Sequence, residues 1–310
     1  MTATARYKRK SIGILVVAAA LAGCASGAPA PPAPAHAGLG AGFRFSMYGP
    51  RVNPGPTYWA RVGREMAARF PGSTPTAIWI VSRVRGEGAL LNFPVPAGDP
   101  LVTGSDTDGN DEALRLFDEL GFRVWLQIEP GFAPVDTLLK LTLDRYARHR
   151  CVVGVGIDVE WYRSVDPDAG DPVSDGDARA WLAVARAYNP RYRLFLKHWL
   201  PEKMPLTVRD GLLFISDSQI FPSLDAMVEE FAGWAKTFAP SPVAFQYGYN
   251  TDRPWWSALD DPPGVIGKRI LAAAPNTEAL IWVDFSVLEV FPPDGRPWKP
   301  APATTPAPSP

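Results

Sequence analysis

The chain has 310 residues, with 31 Lys and Arg against 32 Asp and Glu and a net charge of −1. Both signs are interspersed, which excludes the basic field that nucleic-acid binding needs and any polybasic membrane patch. Cys24 and Cys151 are its two cysteines, so no disulfide framework organises the fold.

Residues 1–10 carry Arg6, Lys8, Arg9 and Lys10, and the apolar run SIGILVVAAALAG follows. This is the order of a secretory signal peptide, assigned to residues 1–23; the run falls short of the ~20 residues a membrane span needs. Leu21-Ala22-Gly23-Cys24 resembles the bacterial lipobox. The resemblance implies that Cys24 becomes the acylated first residue, palmitate included, of an envelope lipoprotein anchored to the membrane through that lipid. Residues 24–41 are rich in Pro and Ala and read as an extended tether; the Pro-rich residues 293–310 read as a disordered tail. With Cys24 acylated, Cys151 has no partner. It opens an apolar run and reads as a buried structural thiol.

Residues 42–292 remain for a single domain of about 250 residues. Strand-like apolar runs alternate along it with segments of helical period. FRFSMYG (43–49) precedes a helix from Thr57 to Phe70, and TAIWIVSRV (76–84) precedes a helix that Gly121 ends. RVWLQIEPG (123–131) and CVVGVGIDVEW (151–161) are each followed by a helix. YRLFLKHW (192–199) leads through LPEKMPLTVRD, which carries no convincing helix, to GLLFISDSQI (211–220). A helix, PVAFQYGY (242–249), a further helix and ALIWVDFSV (279–287) complete the series. Eight such units predict an α/β fold, the (β/α)8 TIM barrel, since parallel buried strands need crossover connections and lose strict alternation. The alternative, an open doubly wound sheet, lacks the glycine-rich phosphate loop after its first strand.

Chemistry in such a barrel gathers where strands end. Asp158 and Glu160 end the fourth strand two residues apart, so both are expected to face the mouth. Two nearby carboxyls in a poorly solvated place cannot both ionise cheaply, and the one that keeps its proton becomes an acid at neutral pH. Glu129 ends the third strand, Lys197 and His198 the fifth, Asp217 and Gln219 the sixth, Gln246 and Tyr247 the seventh, and Trp282 and Asp284 the eighth. Same parity makes Asp217 with Gln219, and Trp282 with Asp284, converge or diverge together. Asp217 and Asp284 have ordinary alternatives as helix caps or arginine partners, and Glu129 as a solvated turn residue. Lys197 reads as an ion-pair partner of a carboxylate rather than a nucleophile. With three histidines in the chain, one of them in the tether, no metal site is expected.

Aromatic residues crowd the same strand ends, and Trp161, Tyr247 and Trp282 are the candidates for packing on sugar rings. At this point GIDVE at a fourth-strand end resembles the D-x-E signature of the family 18 chitinases and family 25 lysozymes. That resemblance implies Glu160 as proton donor and Asp158 as its assistant. Gln246-Tyr247 and Val283-Asp284 resemble closing motifs of the lysozyme group. The chain departs from both patterns: Val153 and Gly156 stand where family 18 has further acids, and FRFSMYG lacks the first-strand Asp of family 25.

The expected function is therefore hydrolysis of a cell-wall or extracellular polysaccharide by an O-glycosyl hydrolase of the envelope. Glu160 acts as general acid, with Asp158 and Asp217 completing the catalytic set and Glu129, Trp161, Lys197, Gln219, Gln246, Tyr247, Trp282 and Asp284 binding substrate. Such hydrolysis needs no cofactor. The alternative is a catalytically silent glycan-binding lipoprotein on the same barrel.

Overall fold

The structure is a computed structural model that describes residues 38–301. The signal peptide, Cys24, residues 24–37 of the tether and 302–310 of the tail lie outside the described residues. In chain order the elements are β1 (Gly40–Phe45), α1 (Pro56–Ala68), β2 (Thr74–Ile80), β3 (Ser82–Arg85), β4 (Gly88–Leu91), β5 (Val102–Gly104), α2 (Asp111–Leu120), β6 (Arg123–Ile128) and α3 (Val135–Tyr146). They continue with β7 (Val152–Asp158), α4 (Asp175–Tyr188), β8 (Arg193–Lys197), β9 (Leu212–Ser216), α5 (Leu224–Phe238), β10 (Val243–Tyr247), α6 (Arg253–Trp256), α7 (Pro262–Ala273), β11 (Thr277–Trp282) and α8 (Val287–Val290).

Eight of the strands close a parallel barrel in the order β1-β11-β10-β9-β8-β7-β6-β2, with β2 returning to β1. This is the (β/α)8 TIM barrel that the alternation predicts. The helices start and stop on local signals. Ser174 and Asp177 form a reciprocal capping box at α4, Ser223 caps α5 through the Ala226 amide, and Gly121 ends α2 at φ 71. The connection from β8 to β9 holds one short 3-10 turn, Pro201–Lys203, in keeping with a segment that shows no helical period.

Two departures from the sequence reading have clear causes. The expected strand 76–84 is divided: β2 stays in the barrel, and β3 leaves it to form a small sheet with β4 and β5. The antiparallel β3–β4 pair turns at Arg85-Gly88 around Gly86, whose φ of 58 suits glycine. The tail expected from residue 293 keeps to the barrel surface as far as it is described. Trp298 donates its indole N–H to the Leu259 carbonyl at 2.8 Å, and the Ala301 amide bonds to Ser257. One large aromatic with a polar handle anchors a segment whose composition resembles a linker.

Two apolar layers result. Ile78, Trp125, Phe195, Leu213, Ile215, Ala244, Ala279 and Ile281 fill the barrel, and a larger cluster packs the strands against the helices. The alternation in VGVGID follows from this. Val155 and Ile157 join the outer layer, whereas Gly154 and Gly156 face the rings of Trp125 and Phe195. A Cβ on Gly156 would lie 2.1 Å from the Phe195 ring. Gly156→Ala is therefore expected to cost about 1–3 kcal/mol of unfolding free energy through overpacking. The same change at Gly98, which has nothing within 4 Å of its added carbon, serves as the control. Denaturant titration of the two variants giving equal midpoints would remove the packing argument.

Candidate active site

The glycines that admit Trp125 and Phe195 also leave the next inward position of β7 to Asp158, at the C-terminal end of the barrel. Asp158 pairs in register with Lys197, the last residue of β8. The Lys197 ammonium lies 3.1 Å from Asp158 Oδ2 and also contacts Glu160 Oε1 and Asp217 Oδ2. Gln127, near the end of β6, donates to Asp158 Oδ2 at 2.9 Å. Lys197 and its three carboxyls are buried or nearly so, the Glu160 side chain being the most open at 13%.

The route by which Glu160 arrives differs from the sequence expectation. The strand stops at Asp158, and Val159–Trp161 forms one 3-10 turn. That turn, not strand alternation, brings Glu160 onto the same ammonium as Asp158. The polypeptide also leaves strand geometry after Ser216, which separates the expected pair: Asp217 joins Lys197, while Gln219 is exposed and meets the Thr251 hydroxyl at 2.9 Å.

Beside this group lies a second one. Arg44 of β1 donates to Asp284 Oδ1 from two nitrogens, at 2.7 and 2.9 Å, and the Ser46 hydroxyl donates to the other oxygen. A third Arg44 nitrogen reaches Gln246 Oε1 and the Tyr249 hydroxyl, each at 3.4 Å, and the Phe285 ring covers the guanidinium at 4.5 Å. Across the mouth, the Tyr48 hydroxyl donates to Glu129 Oε2 at 2.6 Å, and the Glu129 amide is held by Ser82 Oγ.

Tyr247 and Trp282 do not take part. Both are fully buried and belong to the layer between strands and helices, with ring centroids 5.4 Å apart. The Tyr247 hydroxyl bonds to the Pro263 carbonyl of α7. Parity explains the correction: Gln246 and Ile281 face inward, so their neighbours Tyr247 and Trp282 face out. Asp284, two residues beyond Trp282, reverses direction because β11 has ended. Trp161 is half-buried beside Glu160. Tyr48, Phe132 and Phe285, in loops that follow β1, β6 and β11, are the exposed aromatics on this side.

Arg44, Ser46 and Gln127 complete the site and were not singled out by the sequence reading. Their signal was present as polar residues at alternate positions of otherwise apolar strands, in FRFS and WLQIE. Cys151, by contrast, is the buried thiol expected, near the Leu114 carbonyl and with its proton held more tightly by burial.

Glu129, Asp158, Glu160 and Asp217 share a buried region with Lys197, and their proton affinities separate accordingly. Burial, then repulsion from Asp158 and Asp217, raises Glu160 well above the usual carboxyl range. Burial and Asp158 push Glu129 up to about 8. Asp158 rises to about 6, burial outweighing the attraction of Lys197. Asp217 goes the other way: against its own burial, the Lys197 ammonium and the bond to Glu160 hold it at about 2. Lys197, despite burial, is held firmly cationic by Asp158, Asp217 and Glu160. His198 is neutral, brought down to about 4 by burial. At neutral pH the group therefore offers a proton on Glu160 next to an anion at Asp217. Asp158 Oδ1, Asp217 Oδ1, Gln127 Oε1 and Gln246 Nε2 are buried without a partner, and such atoms suit a ligand rich in hydroxyls.

No family model matches the chain, and no curated protein matches it. Among solved structures it is similar to an FMN-binding beta-glucuronidase from Facaelibacterium prausnitzii L2-6, at 12% identity and a TM-score of 0.44 over 78% of this chain and 36% of that one. It is likewise similar to a 4-O-alpha-L-rhamnosyl-beta-D-glucuronidase from Fusarium oxysporum 12S, at 12% identity and 0.44 over 79% and 62% of the two chains. The third is an endocellulase from Pyrococcus horikoshii, at 13% identity and 0.44 over 79% and 84%. The chain thus spans about a third of the first of these proteins and under two thirds of the second.

Proposed function

We propose that the barrel is a glycoside hydrolase with Glu160 as its general acid. The observation that carries this reading is the separation of proton affinities on one ammonium, Glu160 raised and Asp217 lowered, at the end of the barrel where such folds do chemistry. Glu160 gives its proton to the glycosidic oxygen as the bond to the anomeric carbon breaks, and the leaving alcohol departs with that proton. The Asp217 carboxylate meets the positive charge growing at the anomeric carbon. Water then supplies the new hydroxyl and returns a proton to Glu160. Asp158, braced by Gln127 and Lys197, keeps Glu160 protonated by repulsion. Arg44, Gln246, Tyr48 and Glu129 line the mouth as hydroxyl-binding groups, a role that replaces the one expected of Tyr247 and Trp282.

The lipobox resemblance at Leu21–Cys24 supports an envelope location for the enzyme, tethered by acylated Cys24. Cell-wall or extracellular polysaccharide is then the substrate class within its reach. A second reading, a glycan-binding barrel without turnover, has its own support: the Lys197 ammonium stands among the three carboxyls, where a glycosidic oxygen must approach.

Release of reducing ends from peptidoglycan, chitin and neutral polysaccharides separates the two. Release by the wild type that Glu160→Gln abolishes supports the hydrolase. Glycan binding that is equal in both proteins, with no release by either, would sink it and leave the binding reading.

A further inference from the structure

The opposite end of the barrel holds a second concave site. A cavity of about 300 Å³ opens among the N-terminal ends of the strands, floored by Trp125 and lined by Arg123, Arg150, Arg191, Arg193 and Glu278. Four guanidinium groups here face one carboxylate. That carboxylate is already committed, since Arg193 donates to both Glu278 oxygens, at 2.6 and 2.8 Å, and rests over the Trp125 ring.

Arg123, Arg150 and Arg191 form no ion pair among the described residues. Arg123 donates from one nitrogen to the Gly38 and Leu39 carbonyls, Arg150 from its Nε to the Asp118 carbonyl, and the Arg191 side chain makes no hydrogen bond among the described residues. All three line the cavity. Arg123 also holds its proton less firmly than usual, because burial outweighs the attraction of Glu278. Several arginines converging on a small concave space, with fixed planar donor pairs, match a phosphoryl group in both charge and geometry. The volume is at the small end for ligand sites, sufficient for a phosphoryl group with a short polar substituent.

We propose that this N-terminal mouth is a binding site for a dianionic phosphoryl group, as inorganic phosphate or as a phosphate monoester. It lies at the far end of the strands from Glu160, so it binds without entering the chemistry proposed there. Its ligand compensates the arginine cluster and stabilises the folded chain by mass action.

The test is calorimetric titration of the full chain with inorganic phosphate and with glycerol 3-phosphate, at low ionic strength, with acetate as the monoanionic control. Saturable binding of either phosphate, accompanied by a rise in Tm, is expected, and preference for one of the two identifies its source. Arg191→Gln is expected to weaken that binding at least tenfold without lowering Tm in the absence of phosphate, and Arg123→Gln to weaken it at least as much. No saturation by either phosphate, acetate binding as tight as phosphate, or wild-type affinity in both variants would overturn the proposal.

Discussion

Glu160→Gln is expected to lower kcat by about 10²–10⁴-fold, the range for losing a positioned general acid. The amide keeps the shape of a protonated carboxyl but has no transferable proton of comparable acidity. Because Glu160 is already proton-bearing in the folded wild type, the variant should unfold at a similar denaturant concentration at neutral pH. The pH profile provides the sharper check. Wild-type activity should fall on the alkaline side, as Glu160 loses its proton above the usual carboxyl range. On the acid side Asp217 stays ionised down to about 2, so its protonation sets no limb near neutrality. The variant's residual activity should lack the alkaline limb. A variant with unchanged kcat, or with the same alkaline limb, would transfer the proton donor elsewhere.

The same groups set the pH dependence of stability. Glu129, raised from 4.5 to about 8, binds more protons folded than unfolded between those values. Stability from this group is therefore complete below about 4.5 and declines as pH rises through about 8. Asp217, lowered from 3.8 to about 2, acts with the opposite sign: its contribution is present above 3.8 and is lost as pH falls through about 2.

Lys197→Met is expected to be the most destabilising single change in the site, by about 3–5 kcal/mol at pH 7.5, the range for breaking a buried ion pair from one side. Methionine nearly conserves the volume, so the loss reports charge rather than a cavity. Without the ammonium, burial makes Asp217 and Asp158 retain protons in the folded chain. Folding then binds protons, and the deficit should shrink as pH is lowered to about 4.5. Denaturant titrations at the two pH values check this. Equal deficits at both would mean that Lys197 acts through packing alone, and that the proton-affinity separation on which the proposed chemistry rests has another origin.

The closed barrel could be foreseen because each strand carries its own signal. Runs such as AIWIV and LLFI are apolar throughout, as strands buried on both faces must be, and the intervening segments have helical period. The β3–β5 sheet was missed because SRV continues TAIWIV without a break, and only the pairing with GALL shows where the barrel strand stops. Asp158, Glu160, Lys197 and Asp217 were legible as charged residues that terminate apolar runs. Tyr247 and Trp282 were misplaced by the same reasoning, since a strand end indicates height along the barrel but not the side of its wall.

The number of βα units and the strand ends that carry acids are legible in the amino-acid order alone. These are local properties, written in composition and period. Only folding makes a 3-10 turn rather than strand parity deliver Glu160, lets Arg44 and Ser46 claim Asp284, and gathers Asp158, Glu160 and Asp217 on one lysine. Those outcomes depend on which strands become neighbours and on how much water remains between them. Proton affinity depends on burial and on charges brought from distant parts of the chain, so Glu160 and Asp217 acquire their opposite characters only when the barrel closes.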